Sequence, residues 1–385
     1  MKSIIAIIGC LCFLCACQDK MTSPQTILSF EKNYGGAQTD YAAAMTNIGS
    51  ALYIVGTSKS LQSTSGGLLL QKIDAHSGAL LFEKSYGGTT HEEGFNIIST
   101  QDGNLLLLGL TKFPNGSSGL QVDIFLVKVA PNGDVLWTKT YGNAGSFDVA
   151  RGLLEADNGD ILLLGPVNNG VTNDVRVFRL DSQGQIIWQK TYNSPYNDKG
   201  IDIAAIGNDT YFLLGRRQDG DDDFLVMKID GQGNVLTTQT YGTPQYEEAH
   251  SIYKTQDGNF IICGHSSGVD PLHDLYLLKI DVAGNVLFEK HYGGAAHDGG
   301  TDAAELSNGD LILVGETNSD GNGSRRAFFI RTDKNGEVLE EDSYGGDQSD
   351  QFSAVWAMEE AYYMVGESQS VTPNGELDVY LVKKQ

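Results

Sequence analysis

The stretch Phe30-Glu31-Lys32-Asn33-Tyr34-Gly35-Gly36 decides the fold, because its tyrosine returns at Tyr86, Tyr141, Tyr192, Tyr241, Tyr292 and Tyr344. Successive tyrosines are 52, 55, 51, 49, 51 and 52 residues apart. Between them the same strand signals recur in the same order. A small-residue strand comes first (Tyr41-Ala42-Ala43-Ala44), and a strongly apolar strand ending in glycine follows (Leu105-Leu106-Leu107-Leu108-Gly109; Phe212-Leu213-Leu214-Gly215). A third strand runs apolar into a base (Ile124-Phe125-Leu126-Val127-Lys128), and a fourth carries the next tyrosine. Asp102-Gly103, Asn158-Gly159, Asp257-Gly258 and Asn308-Gly309 mark a hairpin after the first strand; Asn132-Gly133, Gln183-Gly184 and Asn335-Gly336 mark one after the third. Four short strands in a unit of about 50 residues predict a propeller blade.

The two ends of the chain sharpen this to a number. The last unit stops at Val379-Tyr380-Leu381-Val382-Lys383 and lacks its fourth strand, while Ile27 to Tyr34 is a spare one. Pairing the two closes a ring, so the expected fold is all-β: a seven-bladed β-propeller over residues 27–385 with four antiparallel strands per blade. Such closure leaves fewer open edges for aggregation. Ala42, Gly94, Ala150, Gly200, Ala249, Gly300 and Phe352 occupy one position of the first strand, and six of these seven are Ala or Gly. Small residues are expected where innermost strands crowd around an axis.

These motifs resemble the bacterial β-propeller repeat proteins of the Tyr-Gly-Gly type, whose units read aromatic, Tyr/Phe-Gly-Gly, acid, Asp/Asn-Gly and an apolar strand ending in Gly. The resemblance covers about residues 27 to 385 and implies architecture. Blades entered through Gly142-Asn143, Asn193-Ser194 and Gly242-Thr243 depart from the Gly-Gly turn. The residues that match are structural, so no function follows from them.

Residues 1–16 read as a leader: Lys2 gives a positive start, and Ile4 to Ala16 is an apolar run too short to span a bilayer comfortably. The run ends in Leu14-Cys15-Ala16-Cys17, which resembles the bacterial lipobox, so Cys17 is the expected lipidation site and residues 17–26 a tether. The expected location is therefore the cell envelope, at the outer membrane, with the lipid as the membrane attachment. Loss of the leader leaves Cys17 and Cys263 as the remaining cysteines, which excludes a disulfide framework. Cys263 lies in an apolar strand with no base beside it and is expected in the core. Loss of Lys2 takes the formal charge from −23 to −24, a surface that repels nucleic acid and anionic head groups.

Chemistry has two candidate locations. Asp40, Glu92, Asp198, Glu247, Asp298 and Asp350 stand six residues after the repeat tyrosine, with Asp148 seven after in the remaining unit. Such carboxylates either hold the turn by accepting backbone N–H bonds or form a ring at the channel mouth; repetition in every blade favours the first. The second location is the face carrying the loops between second and third strands, which vary in every blade. There the residues after the strand-ending glycine are Thr57, Leu110, Pro166, Arg216, His265, Glu316 and Glu367. The candidate binding set is Arg216, Arg217, His265, His273, Glu316, Arg326 and Glu367, with Arg325 nearby; Arg216, His265, Glu316 and Glu367 would be the catalytic set of an enzyme.

Two acidic loops are weak metal candidates, with Asp219, Asp221 and Asp223 in one and Asn318, Asp320 and Asn322 in the other. Neither has the ligand spacing of an EF-hand, so no cofactor is expected with calcium left open. Phosphate-loop, paired-histidine zinc and nucleophile-elbow motifs are absent from the sequence. The reading is a lipid-anchored, monomeric interaction module that binds an envelope protein or glycan. The alternative is a polysaccharide hydrolase or lyase on the same face, which requires its four side chains to converge in a concave pocket.

Overall fold

The computed structural model describes residues 29–61, 66–87, 91–114, 120–143, 146–168, 170–267, 272–319, 321, 323–358, 361–372 and 375–385, and all regular structure among them is strand. The leader, Cys17, the tether, Ile27, Leu28, Asp320 and Asn322 lie outside the described residues. Seven antiparallel sheets of four strands form the ring. Their innermost strands are Asp40–Ile48, His91–Ser99, Gly152–Glu155, Asn197–Ala205, Glu247–Lys254, Asp298–Glu305 and Asp350–Met358, taken below as blades one to seven. Six sheets use consecutive strands. In the seventh, Phe30–Tyr34 is the outer strand and pairs with Asp378–Lys384, Phe30 opposite Lys383 and Tyr34 opposite Val379, so the expected closure is present.

The repeated tyrosine acquires a physical role here. Tyr86 donates its phenol hydrogen to the carbonyl of Gly133 at 2.8 Å, in the outer hairpin of the next blade. Tyr34 to Gly78, Tyr141 to Gly184, Tyr192 to Gly233, Tyr241 to Gly284 and Tyr292 to Gly336 repeat this bond at 2.7 to 3.0 Å. Each acceptor glycine has a positive φ, between 67° and 87°, which a hairpin turn requires and other residues resist. Tyr344 differs because the hairpin it would reach is where the chain is open; its phenol meets Lys384 instead. The large apolar residues pack between adjacent blades, one cluster at each of the seven junctions. Cys263 is fully buried in one of them, and burial pushes its thiol far up.

The small residues of the innermost strands are explained differently from the expectation. They face the preceding blade, not the axis. A Cβ on Gly200 would lie 2.6 Å from Leu164 Cδ1, and one on Gly300 would lie 2.7 Å from Cys263 Sγ and the Gly264 carbonyl. What crowds them is the neighbouring blade's second strand. Directly after this position six of the seven innermost strands slip register, at Ala42/Ala44, Gly94/Asn96, Gly200/Asp202, Ala249/Ser251, Gly300/Asp302 and Phe352/Ala354. Such a bulge turns an extra side chain toward the channel in each blade.

Candidate functional site

Strand alternation sorts the channel end into layers. The seven repeated acids are all buried, at most 2% exposed, and they hold turns. Asp40 accepts from the Gly36 N–H at 2.9 Å, Asp298 from Gly294 at 2.7 Å and Asp350 from Gly346 at 2.9 Å. Hydroxyls at the end of the second strand complete them, as from Thr111 to Glu92 at 3.0 Å and Ser266 to Glu247 at 2.9 Å. In blades three and four an arginine completes the acid instead: Arg176 of the third strand pairs with Asp148, and Arg217 of the second strand with Asp198 at 2.8 Å. The repeated carboxylates are thus structural, and a carboxylate ring at the channel mouth is not what they form.

One residue further along, side chains turn to the opposite side of the strand. Tyr41, Glu93, Lys199, Glu248, Gly299 and Gln351 lie at this level, opposite Thr57, Leu110, Arg216, His265, Glu316 and Glu367 on the second strands. Below them the bulges present Ala43, Phe95, Ile201, His250, Thr301 and Ser353, with Arg151 at the matching place in blade three. Together the innermost strands of all seven blades enclose a channel of about 820 Å³.

Across blades four to seven the mouth carries a continuous arc of interacting side chains. Arg216 lies 3.4 Å from Asp222 and 3.6 Å from Glu248, and donates to the Tyr246 phenol oxygen at 3.4 Å. Tyr246 in turn donates to Glu248. The Tyr246 ring stacks 5.8 Å from His265 and meets His273 edge-on at 5.2 Å. His265 stands 5.2 Å from His250, 5.0 Å from His273 and 6.0 Å from His297, ring centre to ring centre. His297 approaches Glu316 at 3.3 Å; Arg325 donates to Glu316 at 2.9 Å and lies 3.9 Å from Glu367, which accepts from Gln351 at 2.8 Å.

Burial sets the protonation of this arc. Desolvation, reinforced by the neighbouring imidazoles of His250, His273 and His297, pushes His265 down to about 3. His250 and His273 are lowered for the same first reason, so all three rings are neutral near pH 7 and each keeps one acceptor nitrogen. Burial and the Glu248 carboxylate push the Tyr246 phenol up to about 12, which keeps it protonated and a hydrogen-bond donor. Burial also raises Glu367, against the pull of Arg325.

Four of the candidate residues, Arg216, His265, Glu316 and Glu367, therefore belong to one arc together with His273, although they touch through Tyr246, His297 and Arg325 and not directly. Glu367 also lines the channel, whereas Arg216, His265, Glu316 and His273 are not among its lining residues. Arg217 and Arg326 fall outside it. Arg217 faces the opposite side of its strand from Arg216 and stacks on Tyr196 at 4.7 Å while pairing with Asp198, and Arg326 donates outward to the Ser343 carbonyl at 3.1 Å. Tyr246, Glu248, His250, His297 and Arg151 were not singled out from sequence. Two of them, Tyr246 and His297, directly precede a repeated acid, and that offset would have found them. Among the described residues, Asp219, Asp221 and Asp223 included, no group of three or more His, Cys, Asp or Glu is arranged to hold a metal ion; of the second loop, Asn318 is described.

No family model and no curated protein matches the chain by sequence. Solved structures do match it in shape. An ulvan lyase, described as a new family of polysaccharide lyase and solved bound to -[GlcA(1-4)Rha3S]-, superposes with a TM-score of 0.60 at 10% identity, covering 92% of this chain and 97% of that one. A lectin from Burkholderia pseudomallei gives 0.60 at 10% identity, over 90% and 96%. Hydrazine synthase from Kuenenia stuttgartiensis gives 0.59 at 13% identity, over 90% and 97%. At such identities the likeness is one of fold alone, and the fold this chain shares with them is the β-propeller.

Proposed function

We propose that the propeller is a saccharide-binding module, held in the cell envelope by a lipid on Cys17 and presenting the channel mouth to its ligand. The observation that carries this is the shape and chemistry of the mouth. A channel of about 820 Å³ lined by His250, Glu93 and Glu367, to which the imidazoles, phenol and carboxylates of the arc connect through His250 and Glu367, suits a small or chain-like polar ligand. A folded protein partner needs a broad surface, of the order of 800 Å² on each side. Tyr246 with His265 supplies an aromatic platform, and the acceptor nitrogens and carboxylates supply the directional bonds that hydroxyl-rich rings use. That a lectin and a polysaccharide lyase share the fold is compatible with this reading.

A second reading, a polysaccharide hydrolase or lyase, is favoured by one observation: Tyr246 and His265, side chains of the types that serve as general acid and base, stand side by side with ring centres 5.8 Å apart. The experiment is a screen of the purified protein against immobilised neutral and acidic glycans, repeated with Tyr246→Phe and His265→Ala. Binding that falls at least about tenfold in both variants supports the proposal, and product analysis of the bound glycan separates binder from enzyme. Retention of ligand by both variants would place the site elsewhere.

A further inference from the structure

We infer that Arg151 forms an anion subsite inside the channel, so that the saccharide taken at the mouth is an acidic one carrying a carboxylate or sulfate on its ring. This rests on the saccharide reading above and adds the ligand's charge class. Arg151 occupies the bulge level of blade three, where the other blades carry uncharged groups or His250. Its guanidinium lies over the Phe95 ring at 4.5 Å and lines the channel.

The other arginines of this region already have carboxylates: Arg216 with Asp222 and Glu248, Arg217 with Asp198, Arg325 with Glu316 and Glu367. Among the described residues Arg151 has no hydrogen bond or ion pair from its side chain. The carboxylates within electrostatic reach of it are themselves engaged. Glu93 is held by Lys112 and His91, both at 2.6 Å, and Glu248 by Tyr246 and Arg216. Arg151 is exposed to the channel, and crowding by the channel walls lowers its guanidinium against the pull of Glu93, Tyr41 and Glu248.

Local sequence explains how this blade came to differ. Its acid falls seven residues after the tyrosine, not six, and its innermost strand is short, beginning at Gly152. Arg151 is still anchored by its backbone: its N–H bonds the Leu164 carbonyl at 2.9 Å, and its own carbonyl accepts from Asn96 at 2.9 Å. The side chain is thus positioned by its backbone and by Phe95, with no polar contact to the fold. A planar guanidinium backed by an aromatic face leaves its donor edge free for bidentate bonds to a carboxylate or a sulfate.

The test uses the full-length protein with three probes: oligogalacturonate, the same oligomer with its carboxyls reduced, and a sulfated galactan oligosaccharide. One or both acidic probes should bind about 10- to 100-fold tighter than the neutral one, as expected for a charge-assisted pair. The preferred probe identifies the anion. Arg151→Met should abolish the preference, keep neutral binding, and leave the melting temperature equal or higher. Equal binding of all three probes, or a preference that survives Arg151→Met, would overturn the inference, as would a fall in melting temperature that assigns Arg151 to the fold. If no oligosaccharide binds, the saccharide reading fails, and titration of inorganic sulfate followed at the Arg151 side-chain NMR signal then decides: a saturable shift supports an anion subsite and no shift refutes it.

Discussion

Two sets of residues one position apart in the same strands have opposite fates. Asp40, Glu92, Asp148, Asp198, Glu247, Asp298 and Asp350 are repeated and buried, and they hold the fold through turn N–H groups, hydroxyls or an arginine. Their neighbours Tyr41, Glu93, Val149, Lys199, Glu248, Gly299 and Gln351 range from apolar to charged of both signs, and all but Val149, which packs with Leu110 and Val122, lie at the level of the channel mouth. Since successive side chains of a strand leave from opposite faces, one register carries the blade and the other is free to diverge. In a ring of repeats, sameness marks structure and difference marks the site. The same contrast separates Arg217, locked onto Asp198, from Arg216 beside it on the arc.

The largest expected effect tests the repeated register. Asp148→Asn leaves Arg176 buried without its counter-charge and should cost about 3–5 kcal/mol in chemical denaturation. A cost under about 1 kcal/mol would break the comparison at its firmest point. Next, Asp298→Ala strips an acceptor from the Gly294 N–H and from the Ser319 hydroxyl at 2.7 Å, for a loss of about 2–3 kcal/mol. Tyr86→Phe removes one bond between blades and should cost about 1 kcal/mol, more than Tyr344→Phe, whose phenol has no glycine carbonyl to meet. In the divergent register Gln351→Ala should change stability by less than about 1 kcal/mol. A larger loss there would mean that the mouth also holds the fold.

The subtlest expectation concerns pH. His265 is depressed to about 3 from its ordinary 6.5, so the unfolded chain binds more protons below pH 6.5 and stability is lost as pH falls toward 3. Asp302, lining the channel and accepting from the Val355 N–H at 2.9 Å, is pushed by burial up to about 7, so it costs stability as pH rises from about 4 to 7. The two slopes oppose each other. Relative to wild type, His265→Phe should gain more near about pH 4 than at neutrality, and Asp302→Asn more near about pH 8 than near about pH 4. Thermal melts across that range measure both, and parallel curves for variants and wild type would show that neither group titrates as its burial implies.

The spacing of seven tyrosines, the hairpin glycines and the unmatched strands at the two ends were enough to determine an all-β ring of seven blades with its closure, because a repeat multiplies every local signal. The offset after each strand-ending glycine located Arg216, His265, Glu316 and Glu367 for a similar reason: a fixed offset from a structural landmark holds in every blade. Sequence could not decide which neighbour of a landmark faces the mouth. Arg217 and Arg326 look as suitable as Arg216 along the chain, and only the strand's alternation and the position of Asp198 and Ser343 turn them away. Nor could it place Tyr246 and His250 against His265, His297 against His273, or Arg325 against Glu316, since each contact joins strands or loops that only sheet pairing and the neighbouring blade bring together. Local backbone chemistry is written in short stretches of sequence, whereas the arc and the unpaired Arg151 are products of distances between segments far apart in the chain, which tertiary structure alone determines.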